Sequence, residues 1–194
     1  MVNTSLRAPG AAVHADAVAV LTRWTPVEES QRALRQAFLA LLDARPDACA
    51  RSCVPGHLTA SALVLSHDGR RVLLTLHPKV GRWVQLGGHC EEEDTGLVAA
   101  ALREAGEESG IDGLVIEPEP LHLDVHPITC SLGVPTRHFD VRFLVHAPAG
   151  ATALRSAESV DLSWWPVDAL PTDADTIPHL TRLALDRGSD PVKK

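Results

Sequence analysis

The stretch Gly87–Ile111, GGHCEEEDTGLVAAALREAGEESGI, decides how this chain is read. A strand-like run, Trp83-Val84-Gln85-Leu86, leads into two glycines, an acidic loop follows, and an alanine-rich helix closes the stretch. At 3.6 residues per turn, Glu104, Glu107 and Glu108 fall within roughly 100° of helical arc. Like charges so close repel one another and destabilise a bare helix. A divalent cation removes that penalty, and hard carboxylate oxygens suit Mg²⁺ or Mn²⁺ better than zinc.

These residues resemble the signature of the Nudix hydrolases. That signature is Gly, five residues, Glu, seven residues, then Arg-Glu-aliphatic-x-Glu-Glu-x-Gly-aliphatic. Gly88 matches the opening glycine, and Arg103, Glu104, Glu107, Glu108, Gly110 and Ile111 match the second half in register. The chain departs from the pattern in three places. Asp94 replaces the first glutamate, eight residues rather than seven separate it from Arg103, and Ala105 is smaller than the usual aliphatic residue. The extra residue reads as a lengthening of the loop before the helix, a tolerant place for an insertion. A shorter side chain set one residue further away is expected to pair poorly with Arg103, so Asp94 is expected to matter less than the glutamates.

The resemblance implies an α/β fold, an α/β/α sandwich around a mixed sheet. It implies hydrolysis of a diphosphate bond in a nucleoside diphosphate linked to another group. It assigns metal bonds to Glu107, Glu108 and a backbone carbonyl of the glycine pair, best matched by Gly87. Glu104 is either a further ligand or the base that takes a proton from attacking water. Arg103, one turn before Glu107, is expected to orient the carboxylates. Glu158 lies where some relatives supply an extra acidic ligand. Lys79 and Arg82 flank the entry to the glycine pair and are candidates for phosphate contact.

Composition agrees with one enzyme domain. The 194 residues suffice for a sizeable core, and 45% hydrophobic residues exclude a disordered chain. A net charge of −7 argues against a stable nucleic-acid partner or an anionic membrane surface. No signal peptide is apparent, and no apolar run approaches the roughly 20 residues that span a bilayer. Cys49, Cys53, Cys90 and Cys130 form no paired CxxC motifs, so a reduced, cytoplasmic protein is expected. Cys49, Cys53 and His57 are spaced four apart, but Pro55-Gly56 breaks any shared helix face.

Residues 1–56 read as a helical N-terminal extension and residues 57–194 as the catalytic domain. Thr25-Pro26 looks like a helix start, with Leu34, Phe38, Leu41 and Leu42 at helical spacing through Ala44. Such a helix packs on its own domain or on a second copy in a homodimer. A shorter helix is expected over Ala15–Arg23. Strands are expected over Leu58–Ser66 and Arg71–Leu76, joined by an Asp68-Gly69 turn. A second hairpin pairs Leu121–Ile128 with His138–His146, a last strand covers Leu162–Pro166, and a closing helix covers Ile177–Arg187. In the second hairpin His122, Asp124 and His126 alternate with apolar residues, as do His138, Asp140 and Arg142. These two polar rows read either as solvated surface or as a pocket wall that binds phosphate, base or a further metal.

Two other classes stay open. Isopentenyl-diphosphate isomerases share the implied fold and use cysteine, histidine and glutamate with metal, and Cys90 stands beside His89. A non-catalytic nucleotide sensor would usually lose the carboxylates, which are intact here.

Overall fold

A computed structural model describes residues 10–129, 133–157 and 159–188. The elements run α1 (Ala11–Arg23), α2 (Glu29–Ala44), β1 (His57–Leu65), β2 (Arg71–His77), β3 (Arg82–Val84), β4 (Leu86–His89), α3 (Leu97–Ser109), β5 (Val115–Ile116), β6 (His122–Thr129), β7 (Pro135–His146), β8 (Asp161–Pro166) and α4 (Ile177–Gly188). The eight strands form one mixed sheet.

β1 is the spine. It is buried at every position, because helices or other strands cover both of its faces. It runs parallel to β7 from His57 beside His138 to Leu65 beside His146. Its other edge is shared. Val64 and Leu65 pair with β2, whereas Thr59 to Ala62 pair with β4. β2 carries β3 beyond the β1 contact and β8 on its far edge. The sheet therefore forks between β3 and β4, and the chain crosses the fork at Gln85.

Alternation along β1 sorts its two faces. Leu58, Ala60, Ala62 and Val64 join clusters that include Leu97, Ala100, Ala101 and Ala105 of α3. Leu63 and Leu65 pack with Leu144 against Ile177, Leu180 and Ala184 of α4. Thr59 and Ser61 share the α4-side face but lie beyond the apolar cluster, in the floor of a cleft. The result is an α/β/α arrangement, apolar at one end of the sheet and polar at the other.

The helical N-terminal segment shares this core. Val13, Ala17 and Leu21 of α1 and Phe38 and Leu42 of α2 are buried with Leu97, Leu123 and Phe143. Gln31 of α2 covers the outer edge of β6. Its Oε1 accepts the Leu123 N–H at 2.7 Å, and its Nε2 donates to the Leu123 carbonyl at 3.1 Å.

Several expectations need correction. α2 begins at Glu29, not at Thr25-Pro26, and the Thr25 hydroxyl donates back to the Arg23 carbonyl instead of capping the helix. The two glycines lie in a strand, because Gly87 and Gly88 pair with Ser61 and Ala60. A Cβ on Gly87 would lie 2.5 Å from the Ser61 Cα, so only glycine allows this approach. β5 had no sequence signal, being two residues long. The Asp68-Gly69 hairpin forms as expected, with Gly69 at φ 69° and Asp68 Oδ1 accepting from the Arg70 N–H.

Candidate active site

α3 presents its carboxylates to β4. Gly96 precedes the helix and Gly110 ends it in the left-handed conformation. The first free N–H, on Leu97, donates to Asp16 Oδ2 of α1 at 2.8 Å. A Cβ on Gly96 would collide with that carboxylate at 2.4 Å, so glycine makes room for a cap supplied from elsewhere in the chain. At the other end of the helix the Gly87 N–H donates to Glu108 Oε2 at 2.9 Å. The Glu104 carboxylate lies where a Gly88 Cβ would be, with Oε1 2.6 Å from that point. Glu108 is buried and Glu104 nearly so, while the Glu107 side chain is 61% exposed.

Arg103 ties this cluster together. Its Nε and Nη2 donate to the two Asp94 oxygens at 3.1 and 3.0 Å. Nη1 donates to Glu104 at 3.1 Å and Glu107 at 3.0 Å, and Nη2 also reaches the His89 carbonyl at 2.9 Å. The bond to Asp94, followed by these acidic neighbours, raises the Arg103 pKa further above its ordinary value. Asp94 therefore does pair with Arg103, against the sequence expectation. The loop turns back on itself through the Glu91 N–H, which donates to Asp94 Oδ2 at 2.8 Å and holds that carboxylate in place.

The two polar rows meet as the hairpin register requires, with Asp124 beside Asp140 and His126 beside His138. They do not form a solvated surface. Asp140 and Arg142 are each 3% exposed. Arg142 donates to Asp140 at 2.9 Å and to Asp124 at 2.8 Å. Asp140 also accepts from Thr59, Ser61 and Gln85 at 3.0, 2.8 and 3.1 Å. His126 Nδ1 meets Asp124 Oδ2 at 2.8 Å, and this bond, with Arg142 nearby, holds the Asp124 carboxyl below the ordinary aspartate value.

A cleft of about 540 Å³ joins these parts. Its lining includes Gly87, Gly88, Glu104, Glu107 and Glu108 on one side and Asp124, His126, His138, Asp140 and Arg142 on the other. Two sequence candidates lie elsewhere. Lys79 sits in the turn after β2 and does not line the cleft; Arg82 does, paired with Asp175. His122 is turned under α2, where its Nε2 lies 2.9 Å from Gln31 Nε2 and its ring stacks edge-on against His179. Glu158 and Cys130 lie outside the described residues. Sequence reasoning missed Thr59, Ser61, Gln85 and Arg51, which line the cleft. The polar alternation of Thr59 and Ser61 within an apolar strand was the one signal available.

Cys90 packs against the apolar cluster beneath α3 and is absent from the cleft lining. Burial pushes its thiol well above the ordinary value. Both facts oppose the isomerase reading, which needs a reactive cysteine facing substrate.

A protein-family model described as NUDIX domain matches residues 55–183. No curated protein matches the chain. Solved structures that share the fold include the following three. A NUDIX-family hydrolase from Clostridium perfringens is 22% identical with a TM-score of 0.53, covering 68% of this chain and 97% of that one. An Ap4A hydrolase from C. elegans is 20% identical with a TM-score of 0.52, covering 68% and 98%. A MutT protein from Methanosarcina mazei Go1 is 20% identical with a TM-score of 0.51, covering 70% and 97%.

Proposed function

Because this chain belongs to the Nudix family, hydrolases of phosphoric anhydride bonds, we propose that it is a metal-dependent pyrophosphohydrolase. Its substrate would be a small molecule, a nucleoside diphosphate linked to another group. The observation that carries this reading is the gathering of Glu104, Glu107 and Glu108 against Gly87-Gly88, with Arg103 between them.

The donor set fits a hard divalent cation, Mg²⁺ or Mn²⁺, because it consists of carboxylate oxygens beside a glycine backbone. Glu104, Glu107, Glu108 and the Gly87 carbonyl would hold it, and the bound ion would neutralise phosphate charge and lower the pKa of water. Arg103 fixes the carboxylates through Glu104 and Glu107 while Asp94 anchors its other edge. Glu104, lodged against Gly88, is the candidate to accept the proton of attacking water. Across the cleft His126, His138, Asp124 and the buried Asp140–Arg142 pair form the wall for the group beyond the diphosphate. The volume is within the usual range for a small-molecule site, roughly 300–1,000 Å³. We assign the catalytic domain to residues 57–194 and the extension to residues 1–56, in keeping with the matched range.

The test is purified protein with Mg²⁺ against dinucleoside polyphosphates, nucleoside diphosphate sugars, nucleoside triphosphates and isopentenyl diphosphate, followed by product analysis. Release of a nucleoside monophosphate and a phosphorylated second product supports the reading. Isomerisation of isopentenyl diphosphate without hydrolysis of any nucleotide would overturn it.

A further inference from the structure

A second group of ligand-type side chains sits beside the cleft, apart from the glutamates. His57 opens β1, His89 ends β4 and His138 lies in β7. The pairing of β1 with both neighbours brings them together: His57 is registered with His138, and Thr59 with His89. One nitrogen from each ring lies within 4.8 Å of the other two. Ring centroids are 5.0 to 5.2 Å apart.

Three stacked imidazoles are a poor packing solution unless their nitrogens have work. His57 is 1% exposed, and its Nε2 has no hydrogen-bond partner among the described residues. His138 Nε2 is likewise buried without one. A buried polar nitrogen with nothing to bond to is costly to keep. The Cys53 carbonyl lies 3.3 Å from His57 Nδ1. An N–H there leaves the lone pair on Nε2, which is how a carbonyl behind a metal-bound histidine sets its tautomer. Neutral imidazole is the form that ligates a metal.

We propose that His57, His89 and His138 bind a divalent transition metal of the zinc class, with a fourth position open to water or a phosphate oxygen in the cleft. His89 and His138 line that cleft and His57 lies behind them. Imidazole donors select zinc, copper or nickel over magnesium, so this site and the carboxylates prefer different ions. Three nitrogens at about 2.1 Å from one zinc ion lie about 3.5 Å apart, a spacing that modest ring rotation supplies. The site does not depend on the reaction proposed above, because none of its ligands belongs to α3.

The experiment is titration of chelator-treated full-length protein with Zn²⁺ by calorimetry, and with Co²⁺ by visible absorption. Variants are His138→Gln, His89→Gln and the double variant Glu107→Gln/Glu108→Gln, each checked for native circular dichroism. The expected result is one Zn²⁺ per chain, retained by the glutamate double variant and weakened in each histidine variant by more than the roughly 10–100-fold that losing an outer partner costs. Tetrahedral cobalt absorption should disappear with the same histidines. His57→Gln is a further variant, and the two cleft-side histidines decide the question if it fails to fold. Zn²⁺ binding that is unchanged in both histidine variants, or abolished in the glutamate variant, or absent from the parent protein would overturn the proposal.

Discussion

Asp94 is one methylene shorter than the glutamate of the family signature and one residue further from Arg103, and the folded loop compensates for both. The sequence makes the glutamates legible because helical spacing fixes which of them share a face. It does not reveal the Asp94 contact, which depends on the loop closing through the Glu91 N–H. Asp94 is 6% exposed and bonded to Arg103 through both oxygens. Asp94→Ala is therefore expected to lower stability by about 3 kcal/mol, the low end for breaking a buried pair, since Arg103 keeps other partners. Turnover should fall as well, by more than about tenfold, or 1.4 kcal/mol of barrier. Urea unfolding and steady-state kinetics measure both effects; a variant with parental stability would mean the pair is not formed in solution. Arg142 is also held by the protein itself. Its sequence setting suggests a substrate contact, but two aspartates hold it in the cleft floor. Arg142→Ala should cost roughly 3–5 kcal/mol by leaving Asp140 buried and uncompensated. An unchanged melting temperature with a raised KM would return it to substrate recognition.

At the level of elements, α3 is positioned by a residue from α1. Asp16 accepts the Leu97 N–H, and Gly96 leaves space for it. The carboxylate also opposes the positive end of the helix dipole. Asp16→Ala should destabilise the protein by about 1 kcal/mol, as loss of an N-cap does, visible as a lower denaturant midpoint. No change in midpoint would show that water caps the helix equally well. This contact had no local signal, because cap and helix are far apart in sequence. The alternating strands were legible from their period of two; the partner exchange that carries β4 along β1 is tertiary and was not. The α2–β6 contact gives a pH test. Gln31 Oε1 is committed to the Leu123 N–H, so its Nε2 faces His122 Nε2 with a hydrogen that only a neutral ring can accept. Burial first, and the Arg142 charge second, hold the His122 pKa down to about 4. The unfolded chain takes up this proton near its ordinary value of about 6.5, so stability falls as pH drops from there towards 4. His122→Gln should reduce the slope of the stability profile across that window, measured by urea unfolding at successive pH values. An unchanged slope would assign the pH dependence to other groups.

For the whole molecule, the forked sheet explains why one end is core and the other a cleft. Where β1 pairs with β2, Leu65 packs under α4; where it pairs with β4, Thr59 and Ser61 on the same face join the Asp140 network instead. The α/β/α class and the carboxylate helix could be read from the sequence because both rest on local periodicity and one compact motif. The burial of α1 and α2 in the same core could not, since an amphipathic helix does not reveal which surface it covers. No helix among the described residues is long and apolar enough to cross a membrane. In the proposed function, α3 and the glycine strand form a metal-dependent hydrolytic site. Its most direct test is the Mg²⁺ dependence of product release by the parent protein and by Glu108→Gln, on the best substrate of the nucleotide panel. The expected result is no hydrolysis without a divalent ion, saturable activation by Mg²⁺, and turnover reduced at least about a hundredfold in the folded variant, or roughly 2.7 kcal/mol of barrier. Parental turnover by Glu108→Gln at saturating Mg²⁺ would contradict it.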